Sequence, residues 1–412
     1  MPVIFFLFFL IGAVVPSSVN IANPRTLPPR ARMKQAIRAL LWRGTGVFVW
    51  EESGRADTGM DPAGLARAWE LARARGTAGQ LCVLRHGRVV LDRSFGRGPD
   101  ALFLTFSAGK PLTALLVHKL AERGALSLDE RVAAYWPEFG RNGKEAVTVR
   151  QVLQHRAGVP VARSLLRDAW AMTDWDRSVR AVERARPVHP PGEVAAYHII
   201  SYGYILGELL HRVSGTPVRE LLRTEFLDPL SLRDIHLGLT AELRPRAVPL
   251  VSTSRRADRA RRVFFNRRAV RRAVVPAAGV SSTARDLARF YQMLLRGGEL
   301  DGVRVLRPDS VAEARRLSTA AEGDLDHFLR MRIRWSHGFQ LGAAGPDPRA
   351  GRPMGQLGSP QAFGHNGSSI CLAWADPTRD LVLVHFGNLL APPGESARHE
   401  SAISDAVIAA CG

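Results

Sequence analysis

Two hairpin signatures stand near opposite ends of this 412-residue chain, with a long helical stretch between them. Gln80 to Leu84 and Val89 to Arg93 are strand-like and joined by a short turn at His86-Gly87. Ser369 to Ala375 and Leu381 to Phe386 repeat the pattern around Asp376-Pro377. From about residue 125 to 250 the apolar spacing is mostly helical, with Pro and Gly punctuation. Strands at both ends of a helical block predict a single antiparallel sheet built from N- and C-terminal strands and flanked by helices. This is an α/β (α+β) fold with a mostly helical domain inserted over about 125–275.

Helix signals frame the strands. Asp61-Pro62 supplies an N-cap and a first helical residue, and Leu65, Ala68, Trp69 and Ala72 then share a face. Ser107 to Arg123 reads as a helix carrying Leu112, Leu115, Leu116 and Leu120, stopped by Gly124. Thr283 to Asp286 resembles a capping box ahead of Leu287, Phe290, Tyr291, Leu294 and Leu295, with Gly297-Gly298 as the stop. A last helix is expected from about Glu395 to Ala410.

Hydrophobic residues make up 46% of the chain and charged residues 23%, which excludes a disordered chain, a collagen-like chain and a multi-span membrane protein. Cys82, Cys371 and Cys411 are too few and scattered for a disulfide framework or a zinc site, and the 12 histidines lack metal-ligand spacing. The net charge is +19, and of 57 basic residues only Lys34, Lys110, Lys119 and Lys144 are lysine. Such a skew toward arginine is what a GC-rich genome produces, so no specific nucleic-acid partner is expected. One segment, Arg255 to Arg272, crowds nine arginines around Phe264 and Phe265. It reads either as a solvated connection or as a grip on phosphates or an anionic membrane.

Val3 to Val15 is an apolar run of 13 residues. That is roughly 20 Å of helix, short of the ~30 Å core of a bilayer. A signal-peptide core, a membrane anchor and an extension without functional weight all fit it, so localisation stays open between export, membrane association and the cytoplasm. The chain divides into this segment (1–22), a basic lead-in (23–60) and one folded region (61–412).

Ser107-Ala-Gly-Lys110 carries the chemistry. Residues three apart on a helix share a face, so the serine and lysine side chains can meet. A serine hydroxyl is a poor nucleophile until a base takes its proton, and a lysine in a dry cleft with a lowered pKa can be that base. With four lysines in the chain, this is the only S-x-x-K match. Pro111 directly after Lys110 works against a helical Lys110.

Around this pair the chain resembles the serine β-lactamase and D-alanyl-D-alanine carboxypeptidase (penicillin-binding-protein-like) superfamily, most of all its class C and family VIII carboxylesterase branches. Phe106 to Lys110 looks like the nucleophile motif, and Arg123 to Asp129 with Tyr135 to Phe139 like the segment after it. His155-Arg-Ala-Gly158 resembles the L-x-H-x-x-G landmark. Pro191-Gly192 followed by Tyr197 resembles the second motif. Pro276 to Gly279 with Ser282 to Phe290 resembles the return into the α/β domain, and Gly364-His365-Asn366-Gly367 the third motif.

The resemblance implies a β-lactamase/DD-peptidase-like fold, acyl-enzyme chemistry and no cofactor or metal. It implies Ser107 as nucleophile, Lys110 and Tyr197 as proton-handling groups, and backbone N–H groups of Ser107 and Ser368 as the oxyanion hole. His365, Asn366, Gly367 and His198 would line the substrate site, with Gly367 letting substrate approach the backbone and the third motif preceding the strand that begins at Ser369.

Two departures narrow the substrate. The second motif lacks the Asn of β-lactamases and reads Tyr197-His198-Ile199. The third has His365 where β-lactamases have Lys, and histidine is mostly neutral at pH 7. Both weaken recognition of anionic peptides and suit neutral short-chain esters. The expected function is thus a serine carboxylesterase on a small ester or amide. A β-lactamase or D-peptidase, and an Arg-rich binding protein on a vestigial hydrolase fold, are the alternatives. No G-x-S-x-G elbow supports an α/β-hydrolase.

Overall fold

The computed structural model describes residues 51–345 and 351–412; the apolar run at 3–15 and most of the basic lead-in lie outside the described residues. The centre is a six-stranded antiparallel sheet. Its strands are β1 (Gly79–Arg85), β2 (Arg88–Phe95), β3 (Gln340–Leu341), β4 (Phe363–Gly367), β5 (Cys371–Asp376) and β6 (Leu381–Gly387). They lie in the order β3-β4-β5-β6-β1-β2. β1 runs along β6 with Gly79 opposite Gly387 and Arg85 opposite Leu381, so the two hairpins fuse into one sheet as the pattern of the sequence demands.

Both faces of the sheet are covered. Because successive strand residues point to opposite sides, Leu81 and Val83 of β1 face one layer while Cys82 and Leu84 face the other. The outer layer is α1 (Pro62–Arg73) against the C-terminal helix, Pro393–Ala409. There Leu65, Ala68 and Ala72 meet Ile403, Val407 and Ala410 over Leu372 and Trp374. Asp61 caps α1 by accepting from the Gly64 amide at 3.2 Å. The inner layer holds α2 (Lys110–Glu122) and, further along the chain, the Ala284–Leu295 helix, whose Leu287, Phe290, Tyr291 and Leu294 are buried. Each such side chain contributes roughly 1.5–3 kcal/mol of burial.

The intervening chain contributes α3 (Leu165–Ala171), α4 (Ser201–Ser214) and α5 (Arg256–Phe265). With these placed, the Ala284–Leu295 helix is α6 and the C-terminal helix α7. A short strand at Val280–Ser282 pairs on one side with Phe103–Leu104 and on the other with Ile235–Leu237. It thereby ties the helical block to the chain just ahead of Ser107.

Three local expectations differ. The helix expected from Ser107 is a 3-10 turn at Phe106–Gly109 followed by α2 from Lys110. Pro111 falls in the first turn of α2, where no N–H is required, and Lys110 keeps helical angles of φ −56° and ψ −40°. The third motif does not precede a strand; it is strand β4. Ser368 and Ser369 follow in the left-handed region (φ 51° and 53°) and make the turn into β5.

Candidate active site

Phe106 enters the 3-10 turn at φ 48°, a costly conformation for an aromatic residue. It is held because its ring is buried against Phe265, 4.9 Å away edge-on, and the Thr105 amide donates to the Val280 carbonyl at 2.9 Å. The turn sets Ser107 over the first residue of α2. Lys110 is 1% exposed, and its Nζ lies 3.3 Å from Ser107 Oγ, 2.7 Å from the Ile199 carbonyl and 3.1 Å from the Ala277 carbonyl. Burial alone holds this ammonium well below the usual lysine range.

An ammonium would donate its three N–H bonds to these three oxygens, and the neutral form that burial favours can keep two of the contacts. A neutral amine has two N–H bonds and one lone pair. The two carbonyls can accept only from N–H, so the lone pair is left for the Ser107 hydroxyl proton.

Tyr197 closes the group. Its hydroxyl faces the Ser107 side chain, and its ring lies 4.8 Å from Lys110 Nζ. Burial pushes the phenol up, so it stays protonated. The ring stacks on Trp335 at 5.5 Å and 5°. One buried carboxylate fixes both. Asp326 accepts from the backbone amides of Tyr197 (3.1 Å), Phe328 (3.0 Å) and Leu329 (2.8 Å), and from the Trp335 indole at 3.0 Å. Burial raises the Asp326 pKa while these four donors oppose the rise.

His155, from the L-x-H-x-x-G landmark, packs its ring on Tyr197, Tyr202 and Trp335 at 4.6–4.9 Å. Its Nδ1 accepts from the His198 amide at 3.2 Å. The landmark therefore supports the second motif from behind.

The third motif arrives on β4. His365 is 3% exposed and its ring stands 5.9 Å from Tyr197. Its Nδ1 bonds the Asn366 carbonyl at 2.7 Å, while Nε2 has no partner among the described residues. Burial pulls its pKa down to about 3, and the charge that Lys110 carries whenever it is protonated acts in the same direction, so the ring is neutral. Gly367 lies against the nucleophile turn. A Cβ there would overlap the Thr105 carbonyl and sit 3.2 Å from the Ala108 amide. The space kept clear by this glycine is thus taken by the protein's own backbone, and this contact sets Ser368 beside the Ser107 turn.

Two expected substrate contacts are corrected. His198 is fully buried, with Nδ1 on the Ala196 carbonyl at 2.7 Å and Nε2 accepting from the Val159 amide at 3.2 Å. Both nitrogens are used internally, and burial lowers its pKa to about 4. Asn366 sits on the opposite face of β4 from His365, opposite Leu372 of the layer that carries α7.

Asp326, Trp335 and the Ile199 and Ala277 carbonyls gave no signal in the sequence. Carbonyls carry no residue signature, and Asp326 lies 129 positions from the residue it holds. The Arg255–Arg272 segment folds as α5 and a short helix, Arg268–Arg272, with Phe265 turned inward onto Phe106. Among the described residues there is no group of three or more His, Cys, Asp or Glu that could hold a metal.

The β-lactamase family model matches residues 56–408. An esterase/β-lactamase of Mycobacterium tuberculosis, LipL, is 30% identical over 324 residues, covering 71% of each chain. Among solved structures, a penicillin-binding protein homologue from Caulobacter crescentus superposes with a TM-score of 0.69 at 30% identity, over 85% of this chain and 99% of that one. A family VIII carboxylesterase gives 0.72 at 26% identity, over 85% and 98%. Together with a serine, lysine and tyrosine converging in one buried cluster, these likenesses identify the chain as a serine hydrolase belonging to the β-lactamase family.

Proposed function

We propose that the protein is a carboxylesterase that cleaves neutral short-chain esters through an acyl-enzyme on Ser107. Lys110 carries this reading, because its two carbonyl contacts leave the amine lone pair for the serine proton. In the first half-reaction Lys110 Nζ takes the Ser107 proton and Oγ bonds to the ester carbonyl carbon. The oxyanion is received by the backbone N–H groups of Ser107 and Ser368, each such donor being worth about 3 kcal/mol. The C–O bond of the alcohol then breaks, and the alkoxide takes a proton from Lys110 relayed through the Tyr197 hydroxyl. In the second half-reaction water gives its proton along the same path to Lys110 as its oxygen bonds to the acyl carbon; the bond from that carbon to Ser107 Oγ then breaks, Lys110 returns the proton to Oγ and the acid leaves.

Ester rather than peptide or β-lactam selectivity rests on the third motif. A neutral His365 offers a substrate carboxylate no fixed cation, and position 199 supplies a backbone carbonyl to Lys110 rather than a side-chain amide to substrate. A panel of aryl esters, β-lactams and D-alanyl peptides tests this reading. We expect ester turnover to dominate, an acyl mass adduct on Ser107, and Ser107→Ala to lower turnover about a thousandfold or more. Unchanged turnover in that variant refutes the nucleophile; β-lactams or D-peptides as the better substrates refute the selectivity.

A further inference from the structure

The arginine-rich segment presents more than charge. On α5, Val263 is 61% exposed, and on the neighbouring α3 Trp170 is 61% and Leu166 38% exposed. The two helices touch where Trp170 meets the half-buried Phe264 at 6.2 Å, with the Arg267 guanidinium over the indole at 5.4 Å. Leu166 and Trp170 are four residues apart and share a face of α3. Arg259 and Arg267 lie one turn before and after Val263. Arg167, Arg259, Arg262, Arg267 and Arg268 are all exposed, and none makes an ion pair among the described residues. The acidic residues nearest in sequence, Asp168 and Asp258, are buried and already engaged by Arg163, Thr253 and Arg261.

We infer that this face of α3 and α5 docks on an anionic lipid surface. An exposed Trp with two exposed aliphatic side chains, ringed by unpaired arginines, has the make-up of an interfacial binding face. The indole and aliphatics enter the headgroup boundary while the guanidinium groups meet phosphates. Nucleic acid would use the arginines and the indole but gives Val263 and Leu166 nothing to bury against. No described helix is long and apolar enough to cross a membrane, so the contact is peripheral. The face is also close to the candidate site: Trp170, Phe264, Phe265 and Phe106 form a run of ring contacts ending beside Ser107.

The test is flotation of the full chain with vesicles of phosphatidylcholine alone or with about a third phosphatidylglycerol, at low and high salt, alongside a duplex DNA competitor. Binding is expected only to the anionic vesicles, weakened by salt. Each basic residue near such a surface is worth about fivefold in partition, so reversing Arg259, Arg262 and Arg268 to Glu should lower binding well over tenfold. Trp170→Ser should weaken it without changing the salt response. Because residues 3–15 belong to every variant, any binding through them cancels in the comparison. A melting temperature no lower than that of the wild type and unchanged turnover of a soluble ester by the arginine variant show that the fold survives. That control also separates this inference from the esterase reading. The inference is overturned if wild-type protein ignores anionic vesicles, if the triple variant binds them equally, or if DNA binds more tightly than the vesicles.

Discussion

The Lys110 amine must be unprotonated to accept the Ser107 proton, and its burial lowers the pH at which that holds. Turnover is therefore expected to fall as pH drops through the lowered Lys110 value and to stay flat on the alkaline side, where burial keeps Tyr197 protonated. His365, held near 3, contributes no limb around neutrality. A pH profile of kcat/KM for His365→Gln checks this assignment; loss of the acidic limb in that variant would transfer it from Lys110 to His365. Gly367 gives a second residue-scale prediction. Alanine there meets the Thr105 carbonyl, so Gly367→Ala should separate β4 from the nucleophile turn and cut kcat at least tenfold while global unfolding shifts less. An equal kcat would show that the turn does not depend on that contact. The Ser107-Lys110 pair was legible because its spacing is local and lysine is rare. His198 and Asn366 differ from the expectation for a physical reason: a motif taken as one unit turns all its members toward substrate, whereas His198 is held by internal hydrogen bonds and strand alternation turns Asn366 to the other face of β4.

At the scale of elements, capping and periodicity located α1, α6, the hairpins and α7 to within a few residues, since each signal is contained in its own segment. Pieces defined by tertiary partners were not readable. β3 is two residues long and exists by pairing with β4, and the 326–335 loop exists as a unit through Asp326. That loop carries its own prediction. Asp326→Ala leaves the buried Tyr197 amide and Trp335 indole N–H without an acceptor, at about 1–3 kcal/mol each before relaxation, and turns the part-buried Phe328 and Leu329 amides toward water. Urea unfolding should show a loss on the order of 3 kcal/mol, and kcat should fall more than KM rises because the Tyr197 ring loses its support. Asp326→Asn can satisfy the amides only by turning its NH2 toward the Trp335 indole N–H, and adding Trp335→Phe removes that clash. Stability recovered in the double variant relative to Asp326→Asn supports the shared-carboxylate account; additive losses contradict it.

For the whole molecule, the two hairpins constrained the architecture because strands near residues 80–95 and 363–387 must find each other across the intervening chain. The +19 charge was legible as a number but not as a distribution. The structure buries Arg271, whose pKa desolvation lowers to about 10, and leaves most of the Arg255–Arg272 series exposed. Many of the described ion pairs, such as Arg73 with Glu70 and Arg304 with Glu299, have both side chains exposed and are worth about 0–1 kcal/mol. The excess of positive charge repels over longer distances, which salt screens within about 10 Å at 0.1 M. Self-repulsion should outweigh those pairs. Raising sodium chloride from near zero to about 0.15 M is thus expected to increase the melting temperature by a few degrees. Chloride is the proper choice, because sulfate would strengthen apolar burial as well. A melting temperature that falls with salt would place the net electrostatic balance with the ion pairs. The arginine-to-glutamate variant of α5 and Arg268 separates the two terms further: lowering the net charge by six should raise the melting point at low salt and flatten its salt response.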